Sequence, residues 1–492
     1  MSTRRALVFS FLDRYSALLL SVISSMIIAR LLTPAELGVF SVSMVFIMFI
    51  SSMRDLGAGQ YLVQEKELTP ERIRATWTVL VVTGLLMALI VLLAAHPVAI
   101  FFHEPRMVPI MLVISLNFAI NPCGSMTYAW LMREMRFDAL ATMRFSASIA
   151  GTLTSVGLAY RGLGPISLAY GNLASTLMNA LVSLRYRPAH FGWRLGTQEI
   201  RRVVSFGGKI SATSVVLNIG SGAPEFLLGK LQGLSAAGFY SRANGLAAMF
   251  QRLVLDATSS VAMPLLAKEH RESGQIGVPL VRALAYVTAL GWAFFAGLAL
   301  LSYPVVRLLY GDQWDDSVVL VRYIALGMAV GLPAALSPQA LMASGGAGRI
   351  LRVSVVAVVI QILCIGGGAF FGLNGAGIGF AVAQCITLPL WLRVCDQQFG
   401  LPWRLLARTL ANSAAVAALT SLVPIACVLW FGEQPSGNLV PVIGSAVLGL
   451  LAFVLAARAL GHPIYREFAW LAAKLPLPRR QPSTPVPPRN DP

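Results

Sequence analysis

The chain has 492 residues, 57% of them hydrophobic and only 12% charged, with a mean hydropathy of +0.72. Soluble domains keep roughly a quarter of their residues charged, so this composition excludes a soluble fold. The net charge of +17 would point to nucleic acid in a soluble protein, but in a membrane protein the placement of Lys and Arg decides its meaning.

Fourteen apolar stretches follow one another along the chain, at 10–32, 37–53, 75–95, 107–131, 141–160, 165–184, 209–229, 236–266, 282–302, 318–342, 351–371, 374–392, 409–431 and 438–457. Each has about the length, roughly 17–25 residues, that crosses ~30 Å of hydrocarbon as a helix. The start, Arg4-Arg5 before an apolar run, superficially resembles a twin-arginine export signal. The run is too long, contains Asp13-Arg14 and lacks a small-residue cleavage site, so it reads as an uncleaved first helix. Lys and Arg alternate by side: 29 fall on the side of the N-terminus, five on the other (Arg30, Arg106, Arg161, Lys230, Arg307) and four inside spans. By the positive-inside rule both termini are cytoplasmic, which predicts a multi-pass protein of the bacterial inner membrane and makes the basic charge topological, with no nucleic-acid partner. Beyond Gly461, Ile464, Phe468, Leu471 and Leu475 share one face of a basic amphipathic segment expected on the inner membrane surface. The Pro-rich stretch from Pro476 to Pro492 reads as disordered.

The two halves repeat. Arg30-Leu31 with Gly38-Val39-Phe40-Ser41 recurs 200 residues later as Lys230-Leu231 with Gly238-Phe239-Tyr240-Ser241. Pro97-Val98 matches Pro304-Val305, Leu131-Met132 matches Leu341-Met342, and Gly162-Leu163 matches Gly372-Leu373. Six spans per repeat is an even number, so both lobes enter the membrane in the same sense, as parallel repeats about an axis along the membrane normal. The predicted fold is all-α and integral to the membrane, with about 14 transmembrane helices in two parallel six-helix lobes plus two C-terminal helices. The boundaries are an N-lobe at 1–200, a C-lobe at 201–400, the last two spans at 401–460, and the amphipathic segment and tail at 461–492.

Three segments carry a family resemblance: Met26-Ile27-Ile28-Ala29-Arg30-Leu31-Leu32-Thr33-Pro34-Ala35-Glu36-Leu37-Gly38, Arg201-Arg202-Val203-Val204-Ser205-Phe206-Gly207, and Leu228-Gly229-Lys230 with Gly238-Phe239-Tyr240-Ser241-Arg242-Ala243. Over about residues 1–460 the chain resembles the polysaccharide flippases of the Wzx type, in the superfamily that also holds MATE drug exporters and the peptidoglycan lipid flippase. Glu225 stands where the resemblance leads one to expect Asp or Asn. The resemblance implies a carrier that moves an undecaprenyl-diphosphate-linked oligosaccharide between leaflets for exopolysaccharide, capsule or O-antigen synthesis. Its partners would be that lipid, the surrounding membrane lipids, a polysaccharide polymerase and a chain-length regulator. A buried, unpaired diphosphate is prohibitively costly in hydrocarbon, so such a carrier needs a wet, cationic path.

Ionisable residues inside spans are functional candidates by default. Arg14, Arg242, Arg252 and Arg322 are the four in-span arginines, and Arg54 ends the second span. Cavity cations of related lipid flippases lie on the first, second and eighth helices, so the resemblance points to Arg14, Arg54 and Arg252. Arginine suits a diphosphate because its planar fork donates two hydrogen bonds and stays charged. Asp13, Asp55, Glu225 and Asp256 are candidates for ion coupling. Asp256 lies four residues from Arg252, so the two can also form a structural pair on one helical face, and Glu225 and Arg242 lie at similar depths for a pair across the outer gate. Gly207-Gly208-Lys209-Ile210 lacks the upstream Gly and following Ser or Thr of a phosphate loop, and Gly375, Gly377 and Gly379 open a helix with no strand before them. ATP hydrolysis is therefore not encoded and transport is secondary. The five cysteines and five histidines show no spacing for a disulfide framework, a metal or a cofactor. The longest outer loop, from Tyr303 to Ser317, is too short for an enzyme's site, so the chain reads as a transporter. A MATE-like drug exporter and a peptidoglycan lipid flippase remain alternatives.

Overall fold

The computed structural model describes residues 19–54, 58–65, 67–189, 191–432 and 439–474, with backbone alone at 52–54, 205–214, 347, 439–441 and 470–474. Asp13, Arg14 and Asp55 lie outside the described residues, and the Arg54 side chain is likewise not described. The molecule is all helix among these residues. In chain order the elements are α1 (Leu19–Leu31), α2 (Pro34–Arg54), α3 (Ala58–Gln64), α4 (Pro70–Phe102), α5 (Met107–Arg133), α6 (Phe137–Tyr160), α7 (Ile166–Tyr186), α8 (Ile200–Leu231) and α9 (Leu234–Phe250). A π-helical turn (Gln251–Leu255) joins α9 to α10 (Asp256–Ser273), followed by α11 (Gly277–Leu300), α12 (Ser302–Tyr310), α13 (Asp316–Gly331), α14 (Ser337–Ala343), α15 (Ala347–Ala369), α16 (Gly372–Phe399), α17 (Trp403–Phe431), α18 (Leu439–Ala459) and α19 (Ile464–Lys474).

Nine of these segments, among the described residues, are long and apolar enough to cross a bilayer. α1 is described only in part. α6, α7, α8 and the α9–α10 rod fall below that measure, the last two carrying Glu225, Arg242, Asn244, Gln251, Arg252 and Asp256. Most helices run a turn or more beyond their apolar stretch, as α4 does from Pro70, where Thr69 caps the start by accepting from the Arg72 N–H.

Packing repeats as the sequence does. α6 lies along α7 and α7 along α5 in the first half; α15 lies along α16 and α16 along α13 in the second. α17 packs on α11 and carries α18, outside the repeat. The glycines at the start of α16 serve packing: a Cβ on Gly375 would stand 2.2 Å from the Gly368 carbonyl oxygen of α15, a helix contact that only small residues permit. The segment between α7 and α8 is strapped to the first half. Arg187 sits between the rings of Trp193 and Trp77, with Cζ 3.7 and 4.9 Å from their centroids, and burial pushes its guanidinium below the usual range.

The amphipathic segment differs from expectation. The apolar face of α19 turns to the protein: Ile464 is buried with Ala289, Val416, Phe453 and Ala456, and the Phe468 ring meets Phe453 edge-on at 6.2 Å. The preceding turn buries His462, whose Nε2 is 3.2 Å from Ser413 Oγ.

Candidate functional site

The two halves meet where α2 crosses α9. The start of α2 is set by a capping box: the Thr33 N–H donates to Glu36 Oε2 at 2.9 Å and the Glu36 N–H to Thr33 Oγ1 at 3.3 Å, with Pro34 at the first helical position. This aims Gly38 at the other lobe. A Cβ on Gly38 would lie 1.7 Å from the Leu234 carbonyl oxygen, and one on Gly238 would lie 2.1 Å from the Pro34 carbonyl oxygen. The crossing is thus backbone on backbone and reciprocal. One turn deeper, Ser41 Oγ donates to Ser241 Oγ at 2.9 Å, joining two residues that are each other's repeat mates.

A second reciprocal contact flanks the crossing. Arg30 Nη2 donates to the Leu308 carbonyl at 2.7 Å, and Lys230 Nζ to the Phe101 carbonyl at 2.6 Å. Arg30 and Lys230 are repeat mates, and Phe101 and Leu308 each lie four residues after the paired prolines Pro97 and Pro304. Each lobe therefore puts one cation on the other lobe's backbone, as expected of a contact about a twofold axis. Gln313 Nε2 and Trp314 Nε1 add bonds to the Ala29 carbonyl at 2.6 and 2.7 Å. The segment expected as the longest loop is in fact helix α12 and a 3-10 turn, built into this end of the molecule.

Beneath this latch lie Glu225 and Arg242. Ser241 donates to the Glu225 carboxylate, which continues the hydroxyl chain from Ser41, and the carboxylate feels the charge of Arg242. The guanidinium itself is held elsewhere: Nη1 donates to Ser25 Oγ of α1 at 2.5 Å, and Cζ lies 5.7 and 5.9 Å from the Tyr310 and Trp314 rings. Arg242 Nε is buried without a hydrogen-bond partner among the described residues. The two charges are neighbours, each fastened by a serine, and together they draw α1, α2, α8, α9 and α12 to one point.

Below the charges, α9 separates two cavities. Asn244, Ala248 and Gln251, spaced four and three apart and so on one helical face, line a cavity of about 410 Å³ whose polar groups include Gln361, Gln384 and Trp391, set among apolar residues such as Leu217 and Phe380. A second polar cavity of about 170 Å³ shares Gln251 and Gln384 and reaches Gln339. On another face of α9, Leu246 and Met249 line an apolar cavity of about 420 Å³ closed by Phe294 of α11, Pro424 of α17 and Gly449 and Phe453 of α18. The π turn sits at the base of the polar cavities. Its i to i+5 geometry lets the Asp256 N–H reach the Gln251 carbonyl, and Gln251 Nε2 donates to Asp256 Oδ1 at 3.3 Å. Single π turns of this kind are frequent at functional sites. Arg252, the next residue, is exposed. Arg322 lies apart, donating from Nε to Ser302 Oγ at 2.9 Å, and lines none of the three cavities.

Counting charges overlooked the uncharged amides. Asn244, Gln251, Gln339, Gln361 and Gln384 all fall within the apolar stretches or at their edges, where an amide also needs a partner; listing in-span Asn and Gln beside the charges would have found them.

Known proteins complete the assignment. A family described as "Polysaccharide biosynthesis protein" matches residues 27–319. The succinoglycan biosynthesis transport protein ExoT of Rhizobium meliloti (strain 1021) is 25% identical over 465 residues, covering 93% of this chain and 90% of the relative. The lipopolysaccharide biosynthesis protein WzxC of Escherichia coli (strain K12) is 23% identical over 378 residues, covering 75% of each. Among solved structures, the lipid II flippase MurJ in an inward closed conformation shares the fold, with a TM-score of 0.75 at 15% identity over 95% of this chain and 100% of that one. With its repeated helical lobes, its interlobe crossing and a family match over more than half its length, this chain belongs to the polysaccharide biosynthesis proteins, in line with its resemblance to the Wzx-type flippases.

Proposed function

We propose that the chain moves an undecaprenyl-diphosphate-linked oligosaccharide from the cytoplasmic to the periplasmic leaflet, without ATP and without catalysing a covalent step. The observation that carries this reading is the pair of cavities on two faces of α9, one lined by amides and one apolar and walled by α17 and α18. A substrate matched to both has a polar head and a long hydrocarbon tail, which is a lipid-linked saccharide; a compact cationic drug would use neither the apolar cavity nor the two extra helices. With both termini cytoplasmic, as the charge bias of 29 to five argues, the latch of Arg30 and Lys230 closes the periplasmic side. Arg252, the exposed neighbour of the cavity-lining Gln251, holds the diphosphate with Arg14 or Arg54. The lobes at 1–200 and 201–400 rock so that the Gly38–Gly238 crossing closes and parts, and a polymerase and a chain-length regulator receive the product.

An inside-negative potential favours outward movement of a dianion by about 2 × 2.3 kcal/mol per 100 mV, provided the binding cations stay behind. The test is Arg252→Ala and Arg252→Lys at matched abundance. Surface polysaccharide should be abolished by Ala and partly kept by Lys, which retains charge but not the fork. Normal export by Arg252→Ala would remove this residue from the phosphate site. In sealed vesicles an imposed potential without an ion gradient should accelerate flipping; no acceleration would argue that Glu225 or Asp256 couples a compensating ion.

A further inference from the structure

The polar cavity has a chemistry that a diphosphate alone does not call for. Among apolar walls such as Leu217, Val358 and Phe380, its polar groups are amides, hydroxyls, an indole and a phenol, and among the described residues no Lys, Arg, Asp or Glu lines this cavity or its smaller neighbour. Gln361 is tied down, donating to the Gly220 carbonyl at 3.3 Å, and Gln251 is tied to Asp256. Gln339 spends its N–H on Ser259 Oγ at 2.9 Å and leaves a buried Oε1 with no partner among the described residues. By contrast the side-chain amides of Asn244 and Gln384 and the indole N–H of Trp391 face the cavity with no protein hydrogen-bond partner among the described residues. These three side chains are partly exposed and line one space, so a single ligand there can share their donors and acceptors.

Resting on the reading of the chain as a lipid-linked oligosaccharide flippase, we infer that this C-lobe cavity, built by Asn244, Gln384 and Trp391, is a binding site for an uncharged sugar residue of the substrate, next to the diphosphate held at Arg252. An amide offers a donor and an acceptor side by side, which matches adjacent hydroxyls of a pyranose, each of them donor and acceptor. The Trp391 indole adds a flat apolar face for the sugar's C–H groups and an N–H for one oxygen. The volume of about 410 Å³ lies within the ~300–1,000 Å³ of small-molecule sites and accommodates one or two sugars. A uronic acid is disfavoured there, because its carboxylate would be desolvated with no cation among the described lining residues. The π turn sets the adjacency, placing Gln251 in both polar cavities and Arg252 one residue on.

The experiment measures binding of four lipids to the full-length protein in nanodiscs: undecaprenyl diphosphate, the same lipid bearing glucose, bearing N-acetylglucosamine, and bearing glucuronate. At least one neutral-sugar lipid should bind about tenfold or more tighter than the bare lipid, and the glucuronyl lipid no tighter than bare, a factor equivalent to ~1.4 kcal/mol. Gln384→Ala and Trp391→Ala should each erase that preference while binding the bare lipid as the parent does, which also shows that they fold. Trp391→Phe should keep part of it. Arg252→Ala should weaken all four lipids alike. No preference for a neutral sugar in the parent, tightest binding of the glucuronyl lipid, or a preference surviving in both alanine variants would overturn the site. An unchanged affinity of Arg252→Ala for every lipid would instead refute the phosphate site and leave the sugar site standing, and a parent protein that binds none of the lipids would refute both.

Discussion

The crossing of α2 and α9 can be loosened by one methyl group. In Gly238→Ala the new Cβ would stand 2.1 Å from the Pro34 carbonyl oxygen, and in Gly38→Ala 1.7 Å from that of Leu234. A relaxed contact of a carbon needs roughly 3.5 Å, so the two backbones must part by more than an ångström, and neither backbone can swing aside as a side chain would. Overpacking of this kind costs about 1–3 kcal/mol. Opening the latch end relieves the strain, so the substitution should shift the equilibrium toward the open state by ~5- to 150-fold. The reporter is Ser41→Cys, nearly buried between the lobes at 7% exposure, in a background with Cys123, Cys364, Cys385, Cys395 and Cys427 replaced. On intact cells an impermeant maleimide should label it faster in Gly238→Ala by that factor. Gly157→Ala, whose Cβ meets nothing within 4 Å, should leave the rate alone. Equal rates in Gly238→Ala and its parent at matched abundance would refute the crossing as a gate, and so would an equal increase in Gly157→Ala.

The reciprocal cations should behave as equals: Arg30→Ala and Lys230→Ala each remove one exposed cation-to-carbonyl contact, worth about 0.2–1 kcal/mol by analogy with exposed ion pairs. Each should speed the same labelling modestly and by similar factors, and a tenfold disparity between them would contradict the twofold arrangement. Arg242→Gln should strongly reduce export because it strips the charge that faces Glu225, whereas Arg242→Lys, which keeps the charge but loses the stacking on Tyr310 and Trp314, should fall between; full export by Arg242→Gln would show the cation to be dispensable. His462 gives a pH dependence. Its burial disfavours the imidazolium and lowers its pKa below the usual 6.5, so the unfolded chain takes up a proton before the folded one does. Stability is then complete above about pH 6.5 and falls as the pH drops below it. Thermal unfolding of the purified protein should show a lower midpoint at pH 5.5 than at pH 7.5, with the difference reduced in His462→Gln; an undiminished difference would place the acid sensitivity elsewhere.

Much of the fold was legible because its signals are local. A run of ~20 apolar residues announces a span wherever it later packs, and the 200-residue offset between Arg30 and Lys230 or Gly38 and Gly238 is a property of the chain alone. The capping box at Thr33 and Glu36 is likewise written in four consecutive positions. The site was less legible. Arg242, Arg252 and Arg322 stood out because charge in a span is conspicuous, yet none of them is among the residues that line the three cavities. Asn244, Gln384 and Trp391 were passed over because an amide or an indole in a helix has no distinctive spacing. The π turn at Gln251–Leu255 interrupts a stretch that reads as one helix.

Sequence by itself thus determined that the chain is a membrane protein, where its spans run, that it is built twice, and which family it joins, since hydropathy, offset and motif are carried by neighbours along the chain. Only the tertiary structure decided what the repeats do to each other. That the Arg30 guanidinium lands on Leu308 while the Lys230 ammonium lands on Phe101 depends on contacts 278 and 129 residues apart. That α19 packs on α18, and that α9 turns Asn244 to a polar cavity and Leu246 to an apolar one, depends likewise on which surfaces the other helices bring. Such contacts are fixed by the relative placement of whole lobes, which no local periodicity encodes.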